Sequence, residues 1–256
     1  MSWRTYLSIP QLMMHGLAAP RDQRRAWQRY WSRVRDGEIF WDAGERAEAE
    51  ALAARLRAHA DLTLPIIDLG CGNGGQIGTL TQLAPRVIGI DGAAAAITRA
   101  SATAGEGVEF RVGDAAEDGL GERLHAEFGD VNVHIRGMLH IVGPKACSAV
   151  VRNVAAMLGT RGTAYVCETN IGGNPLDLLR LQGITGTGIP PAMRSVITAG
   201  VRRPRHFGQA EVAAHFPPEG WRVLESGPAV IYAVPLRAGG PLVEVPAHYA
   251  ILRTSA

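Results

Sequence analysis

The chain has 256 residues and a mass of 27.3 kDa, which fits one large domain or one domain with extensions. Hydrophobic residues make up 46% and charged residues 20%, an ordinary globular composition that excludes wholesale disorder. The net charge of +2 argues against a dedicated nucleic-acid-binding protein, which usually carries a strongly basic face. The cysteines Cys71, Cys147 and Cys167 form no C-x-x-C pair, so neither a disulfide framework nor a structural zinc site is expected.

No apolar run approaches the roughly 18–20 residues that a membrane span needs. Pro10, Gln11 and His15 interrupt the weakly apolar N-terminal stretch, which argues against a signal peptide. We therefore expect a soluble cytoplasmic protein that does not bind membranes. Its oligomeric state stays open, with a homodimer as one alternative.

The first 60 residues are predicted to be helical. One helix is predicted over 21–36, because apolar residues recur there at spacings of three or four: Trp27, Tyr30, Trp31 and Val34. An alanine-rich stretch predicts a second helix over 44–60. The six arginines of the first helix are expected to form a solvated face.

We predict that residues 1–60 form a helical extension that acts as a lid over a ligand site. Tyr6 and Trp41 are the aromatic residues expected to face the ligand. The aromatic residues of the first helix are expected instead to dock that helix on the core.

From residue 61 onward, short apolar runs alternate with helical stretches of about ten residues. This alternation predicts a Rossmann-like α/β core over 61–256, with a parallel sheet covered by helices on both faces. The predicted strands are TLPIIDLG, RVIGID, VEFRVGD, VNVHIRG and GTAYVCE. The predicted helices run from the glycine loop through Leu83 and over 93–103, Leu120–Phe128 and 145–158.

The C-terminal part is predicted to contain a long connection and then a hairpin. Residues 171–208 are rich in glycine and proline, with helical patches at 176–181 and 192–199. Such a long connection at the carboxyl edge of a parallel sheet is expected to contact the substrate. WRVLES and AVIYAVPL, on either side of Gly227 and Pro228, predict an antiparallel hairpin.

The sharpest motif is DLGCGNGG, which begins at Asp68 directly after the first strand. Glycines there let the backbone turn tightly and approach a ligand closely. Gly70, Gly72 and Gly75 also fit the G-x-G-x-x-G pattern of dinucleotide-binding proteins. Asp68, however, would repel a pyrophosphate and could accept hydrogen bonds from an ammonium group.

Two more carboxylates follow the next two strands. Asp91 ends the second strand, where it is placed to accept both ribose hydroxyls. Asp114 follows the third strand, where it can accept from an adenine amino group. Three carboxylates at successive strand ends describe a site for adenosine with a positively charged tail, which is the shape of S-adenosylmethionine.

These residues lie in the segments DLGCGNG, VIGIDGA, VGDA and RGMLHIV, which resemble the class I S-adenosylmethionine-dependent methyltransferases over about 62–236. The resemblance implies a seven-stranded sheet whose last strand is antiparallel, with S-adenosylmethionine as the cofactor. IRGMLH and YVCETN are more narrowly similar to bacterial small-molecule methyltransferases of secondary metabolism. This similarity implies a small-molecule acceptor.

The resemblance also implies which residues bind the cofactor. They are Asp68, Gly70, Gly72 and Gly74 around the methionine moiety, Asp91 at the ribose, Asp114 and Ala115 at the adenine, and Cys71 and Gly92 beside them. Arg136 stands where many members carry Asp, Asn or Ser. It either pairs with the methionine carboxylate or a substrate acid, or forms a salt bridge within the fold. Trp41 resembles a tryptophan that precedes the first core helix in related enzymes.

Methyl transfer from a sulfonium is an in-line displacement that needs a base only if the nucleophile is protonated. The candidates are His140, His134 and Glu168, the last at the end of the fifth strand. His140 matches the first histidine of an LHH motif in relatives, where it more often shapes the site. Glu168 is expected alternatively to bind a substrate cation or cap a helix. No metal is expected.

Four alternatives remain open at this point. A protein methyltransferase is excluded by no residue of the sequence. An NAD(P)-dependent oxidoreductase would need a Tyr-x-x-x-Lys motif or an equivalent, and the only lysine, Lys145, has no tyrosine four residues before it. A nucleic-acid methyltransferase is disfavoured because neither a [DNS]-P-P-[YF] tetrapeptide nor a Pro-Cys pair follows the fourth strand. A cofactor-binding protein of this fold that transfers no methyl group is not excluded.

Overall fold

The computed structural model describes residues 22–102, 104–171, 189–236 and 239–255. Seven strands form one sheet in the order β3-β2-β1-β4-β5-β7-β6. They are β1 Ile66–Leu69, β2 Val87–Asp91, β3 Val108–Val112, β4 Asn132–Arg136, β5 Ala164–Thr169, β6 Trp221–Ala233 and β7 Val243–Thr254. Strands β1 to β5 pair in parallel, and β7 is antiparallel to both of its neighbours, β5 and β6. This confirms the predicted Rossmann-like sheet with an antiparallel last strand.

Helices connect and cover the strands. In the described residues they are α1 Gln23–Trp31, α2 Arg46–His59, α3 Ile77–Leu80, α4 Ala94–Ser101, α5 Leu120–Phe128, α6 Pro144–Leu158, α7 Pro191–Ala199 and α8 Gln209–His215. None of these helices is long and apolar enough to cross a membrane.

Successive residues of β1 point into two different apolar cores. Ile66 packs in a cluster with Leu52 of α2, whereas Ile67 packs in a second cluster with Val154 of α6. All four residues of β1 are buried, because helices cover both faces of the sheet. This is why β1 and β2 carry nearly continuous apolar runs, whereas β3 and β4 alternate apolar and polar residues.

A third apolar cluster holds α1 on the core. Tyr30 and Trp31 are 0% and 2% exposed, and they pack with Ala96 of α4 and Ala199 of α7. The prediction that these aromatic residues dock the first helix is confirmed. The helix is shorter than predicted, since it ends at Trp31.

The predicted hairpin turn at Gly227 and Pro228 is wrong. Strand β6 runs straight through both residues and pairs along its length with β7, which the sequence pattern did not predict. A Cβ at Gly227 would lie 3.3 Å from the ring of Tyr249 on β7, so this glycine permits close cross-strand packing. A glycine next to a proline normally indicates a turn. Here the glycine is needed instead because the Tyr249 ring leaves little room for a larger residue.

Two smaller predictions also differ from the structure. The helix after the glycine loop is the single turn α3 and does not reach Leu83. Helix α8 was not predicted. The helical patch predicted at 176–181 lies outside the described residues.

Candidate functional site

A cavity of about 950 Å³ opens at the carboxyl ends of β1 to β4. It lies where the sheet order reverses between β1 and β4, the position at which open α/β sheets bind their ligands. Its walls are the glycine loop after β1, the ends of β2 and β3, the β4–α6 loop, helix α1 with residues 40–42, and residues 201–204.

The glycine loop needs glycine at Gly70 and Gly72 for both conformation and space. Their φ angles are +82° and +57°, in the left-handed region that favours glycine. A Cβ at Gly70 would lie 2.8 Å from Sδ of Met138, and one at Gly72 would lie 2.8 Å from Cζ2 of Trp31. The loop backbone is therefore pressed between the β4–α6 loop and α1.

Gly74 lies on the far side of this loop. It also has a positive φ, +83°, but it does not line the cavity. A Cβ there would lie 3.1 Å from the ring of Phe110 on β3. The sheet therefore packs closely beside Gly74, and the contact of Gly74 with the cofactor stays a prediction.

Asp91, at the end of β2, closes the cavity beside the glycine loop. Its carboxylate accepts the N–H of Gly72 at 3.0 Å and the N–H of Ala93 at 2.8 Å. Burial raises the pKa of Asp91 above its ordinary value, an effect that these two bonds only partly offset and that the nearby Asp68 carboxylate increases. Ionised Asp91 is thus incompletely stabilised in the cofactor-free protein. Hydrogen-bond donors of a ligand would stabilise its charge.

The raised pKa predicts how Asp91 affects stability. The stability it contributes to the cofactor-free protein is fully present below the ordinary pKa of an aspartate, and is lost as pH rises through the higher folded value. We expect the Tm difference between wild type and Asp91→Ala to be smaller at about pH 7 than at about pH 4. The control Asp36→Ala removes an aspartate whose side chain is 97% exposed. A Tm difference for Asp91→Ala that grows with pH would contradict the assignment.

Asp114, after β3, faces the cavity but is already bound to α1. Its carboxylate accepts the N–H of Ala116 at 3.0 Å and the guanidinium of Arg24. Burial acts to raise the pKa of Asp114, but the bonds from Ala116 and Arg24 outweigh burial and lower it. Arg24 lies on a solvated face as expected, and it also ties α1 to the predicted adenine end of the cavity.

Asp68 and His134 form a buried pair on adjacent strands. The Asp68 Oδ1 lies 2.7 Å from Nδ1 of His134, and the two residues are 3% and 1% exposed. The His134 ring stacks on Tyr165 with centroids 5.6 Å apart, and its Nε2 has no hydrogen-bond partner within the described residues. His134 thus orients the Asp68 carboxylate. Because its Nε2 is buried, His134 is less accessible to an acceptor than His140, and its predicted role as a base is not favoured.

Glu168, at the end of β5, holds the β4–α6 loop. Its carboxylate accepts the backbone N–H groups of Met138, Leu139 and His140 at 2.8 to 3.3 Å, and it also binds Nδ1 of His140. The side chain is 0% exposed and does not line the cavity. Because these internal donors occupy the carboxylate, the structure does not favour the predicted roles of Glu168 as a base or as a substrate-cation site. The helix start after Asn170 that Glu168 was alternatively expected to cap lies outside the described residues.

His140 lines the cavity and is 7% exposed. Because its Nδ1 faces Glu168, its Nε2 is the nitrogen left without a hydrogen-bond partner in the described part of the chain. A histidine fixed by a carboxylate in this way has its tautomer set, with Nε2 ready to accept a proton.

Arg136, at the end of β4, is paired within the fold. Its guanidinium forms a bidentate salt bridge with Glu48 of α2 and donates to the Trp41 carbonyl at 3.1 Å. Of the two alternatives left open by the sequence, the internal salt bridge is the one observed. The expected pairing of Arg136 with the methionine carboxylate is not supported, since Glu48 already occupies the fork of the guanidinium.

The sequence analysis missed Asp42 and Asn73. The Asp42 Oδ2 accepts from Nδ2 of Asn73 at 2.7 Å, and a Cβ on Gly75 would collide with the same carboxylate. The pair joins the segment before α2 to the glycine loop, and both residues line the cavity. No sequence pattern links residues 31 positions apart. The prediction that Trp41 faces the ligand was the only indication that this segment lies near the site.

The other predicted cofactor residues that reach the cavity are Cys71, Gly92, Ala115 and Trp41. Burial raises the pKa of the Cys71 thiol, and the nearby carboxylates raise it further, so this cysteine is no nucleophile. Trp41 packs edge-on against Trp27, with centroids 5.4 Å apart. Tyr6 lies outside the described residues.

Comparison with known proteins agrees with this geometry. Residues 66–162 match the family described as "Methyltransferase domain". No curated protein matches the sequence. An S-adenosylmethionine-dependent methyltransferase from Anabaena variabilis superimposes with a TM-score of 0.80 at 24% identity, over 93% of this chain and 97% of that one.

Two further solved structures contain the cofactor product, S-adenosylhomocysteine. The magnesium protoporphyrin IX methyltransferase of Synechocystis has a TM-score of 0.55 and 16% identity, over 90% of this chain and 93% of that one. The 1,6-didemethyltoxoflavin-N1-methyltransferase of Burkholderia thailandensis, which also holds 1,6-didemethyltoxoflavin, has a TM-score of 0.53 and 18% identity, over 84% and 80%. At these identities the likenesses establish the fold.

The fold and the family match together define the class of domain. Residues 66–162 form a methyltransferase domain, the chain has the fold of S-adenosylmethionine-dependent methyltransferases, and such a domain takes S-adenosylmethionine as its cofactor.

Proposed function

We propose that the chain transfers a methyl group from S-adenosylmethionine to a small-molecule acceptor. The observation that carries this proposal is the cavity in which the glycine loop, the strand-end carboxylates and His140 meet. Its volume of about 950 Å³ lies at the upper end of small-molecule pockets, which span roughly 300–1,000 Å³, so a cofactor and a small acceptor fit together. A finer assignment to bacterial secondary metabolism rests on the IRGMLH and YVCETN resemblance alone.

The residues around the cavity fit the cofactor. The loop backbone at Gly70 and Gly72 allows close approach, and Asp68 offers a carboxylate to the ammonium group. Asp91 would accept from the ribose hydroxyls and Asp114 from the adenine amino group. When bound, the cofactor supplies an electrophilic methyl group on a sulfonium.

In this proposal, residues 1–60 act as the lid and the insertion at 171–208 completes the acceptor side. The described part of the lid carries aromatic rings into the cavity: Trp27, Trp31 and Trp41. Such rings exclude water and favour a sulfonium cation over their faces. Arg24 would share Asp114 with the adenine, which couples the position of α1 to cofactor binding.

His140 is the base in this proposal and Glu168 its positioning residue. With Nδ1–H donating to Glu168, Nε2 takes the proton of an acceptor hydroxyl or N–H as the methyl group is transferred. The buried Glu168 carboxylate then stabilises the imidazolium that forms. A nucleophile without a proton would not need this step.

Replacing Asp91 with alanine is expected to weaken binding of S-adenosylhomocysteine more than tenfold, because hydrogen bonds to charged groups contribute about 1.5–3 kcal/mol. Calorimetry on wild type and variant measures the dissociation constants. The matched control is Asp118→Ala, at the rim of the same cavity with a side chain 95% exposed, and its constant should not change. An unchanged dissociation constant for Asp91→Ala would count against the site. A protein that NAD stabilises against heat, and S-adenosylmethionine does not, would instead be an oxidoreductase.

The acceptor itself would be found by mass spectrometry of molecules that co-purify, followed by screening with methyl-labelled cofactor. Transfer to small molecules supports the proposal. Transfer only to protein or nucleic acid contradicts it.

A further inference from the structure

The cavity wall beyond His140 carries two cationic side chains that have no acidic partner among the described residues. Lys145 stands in the first turn of α6, and Arg202 follows α7; both line the cavity. Within the described ranges, neither side chain forms a salt bridge or a hydrogen bond. Both are exposed, so they can reach a ligand without losing an internal contact.

Two cations are brought together here by the folding of the 200–205 segment. A Cβ at Gly143, two residues before Lys145, would lie 3.0 Å from Nη1 of Arg202. The Arg205 N–H donates to the His140 carbonyl at 2.9 Å, and its guanidinium binds the Val142 carbonyl. The segment is thus fastened to the same loop that carries His140.

The acidic residues on this side of the cavity are already paired with other cations. Asp114 binds Arg24, and Asp118 lies 3.6 Å from Arg152. No acidic residue stands in the first turn of α6, where a lysine gains nothing from the helix dipole. The positive charge of Lys145 and Arg202 is therefore not neutralised by the described residues.

The neighbouring wall is apolar. Met193 and Val196 of α7 line the cavity together with Trp27 of α1 and Ile231 of β6. The acceptor side therefore combines an apolar surface with a positively charged edge. A molecule that complements it has an apolar body and an acidic group.

We propose that Lys145 and Arg202 bind an anionic oxygen group of the acceptor, a carboxylate or a phosphate, while its nucleophile faces His140. This inference rests on the proposed function. The arginine fork offers two parallel N–H donors to such a group, and the lysine adds a point charge.

The test compares matched pairs of aromatic probes on protein saturated with S-adenosylhomocysteine. Each pair shares a body and differs in charge: indole-3-acetate against indole-3-acetamide, and phenyl phosphate against phenol. Calorimetry is expected to give at least about tenfold tighter binding of one or both anions. Preference in the first pair identifies a carboxylate, and preference in the second a phosphate.

Variants assign this preference to the two residues. Lys145→Ala combined with Arg202→Ala should abolish the preference, whereas Arg203→Ala should keep it. Arg203 is the matched control because it is exposed and adjacent to Arg202 but does not line the cavity. Three results would overturn the inference. They are equal binding within both pairs, failure of both anions to bind, and a preference that survives in the double variant. Normal binding of S-adenosylhomocysteine in those cases leaves the proposed function standing; its failure to bind removes both.

Discussion

Replacing His140 with glutamine is expected to lower kcat for a hydroxyl acceptor by about 10²- to 10⁴-fold, the range contributed by a general base. The reason is that Nε2 is the nitrogen of this ring left for the acceptor, while Nδ1 is held by Glu168. Binding of S-adenosylhomocysteine should change little, because the proposed cofactor ligands are the strand-end carboxylates and the glycine loop, and not His140. Initial rates at saturating cofactor, together with calorimetry, measure both quantities.

The matched control is His206→Ala, since the side chain of His206 is 46% exposed and lies outside the cavity lining. Its kcat should equal that of wild type. If His140→Gln had the kcat of wild type, His140 would not be a base. The protein would then contribute only the alignment of cofactor and acceptor.

Replacing Glu168 with alanine is expected to lower the free energy of unfolding by about 3–5 kcal/mol, the cost of breaking a buried charged network. Four donors lose their acceptor: three backbone N–H groups of the β4–α6 loop and Nδ1 of His140. The site is 0% exposed, so water does not replace the carboxylate. Urea denaturation of the cofactor-free protein measures the change.

Glu127→Ala is the comparison for this variant. Glu127 forms a salt bridge with Arg111 on the surface, its side chain is 45% exposed, and its loss should lower the free energy of unfolding far less than the loss of Glu168. Equal midpoints for the two variants would show that the carboxylate of Glu168 does not hold the loop. Glu168→Gln should fall between them, because an amide keeps one acceptor but places an N–H₂ group among donors.

Local patterns predicted the sheet well from β1 to β5, because short segments with recurring apolar residues alternate there with helical stretches. The pattern failed at Gly227, where a glycine that fits beside Tyr249 has the same appearance as a turn residue. It gave no strand for 243–254, since Glu244, Pro246 and His248 interrupt the apolar residues there. Pairing with β5 and β6 decides that segment, and pairing is not a local property.

For the site, the sequence placed Asp68, Asp91 and Asp114 at one edge of the sheet, and the structure puts all three in one cavity. This follows from topology, since the carboxyl ends of parallel strands meet at the same edge. The hydrogen-bond partners of the site residues did not follow from the sequence. Arg136 binds Glu48, 88 residues away, and His134 binds Asp68, 66 residues away.

The sequence by itself therefore determined the order of elements from β1 to β5 and the positions of the glycine loop and strand-end carboxylates, because these depend on short-range periodicity and backbone freedom. The tertiary structure alone decided which groups pair: Glu168 with the donors of the β4–α6 loop, and Arg136 with Glu48. It also decided that Lys145 and Arg202 have no acidic partner among the described residues. The physical reason is that charge pairing depends on distances of a few ångströms between residues far apart in the chain, and only packing of the helices on the sheet fixes those distances.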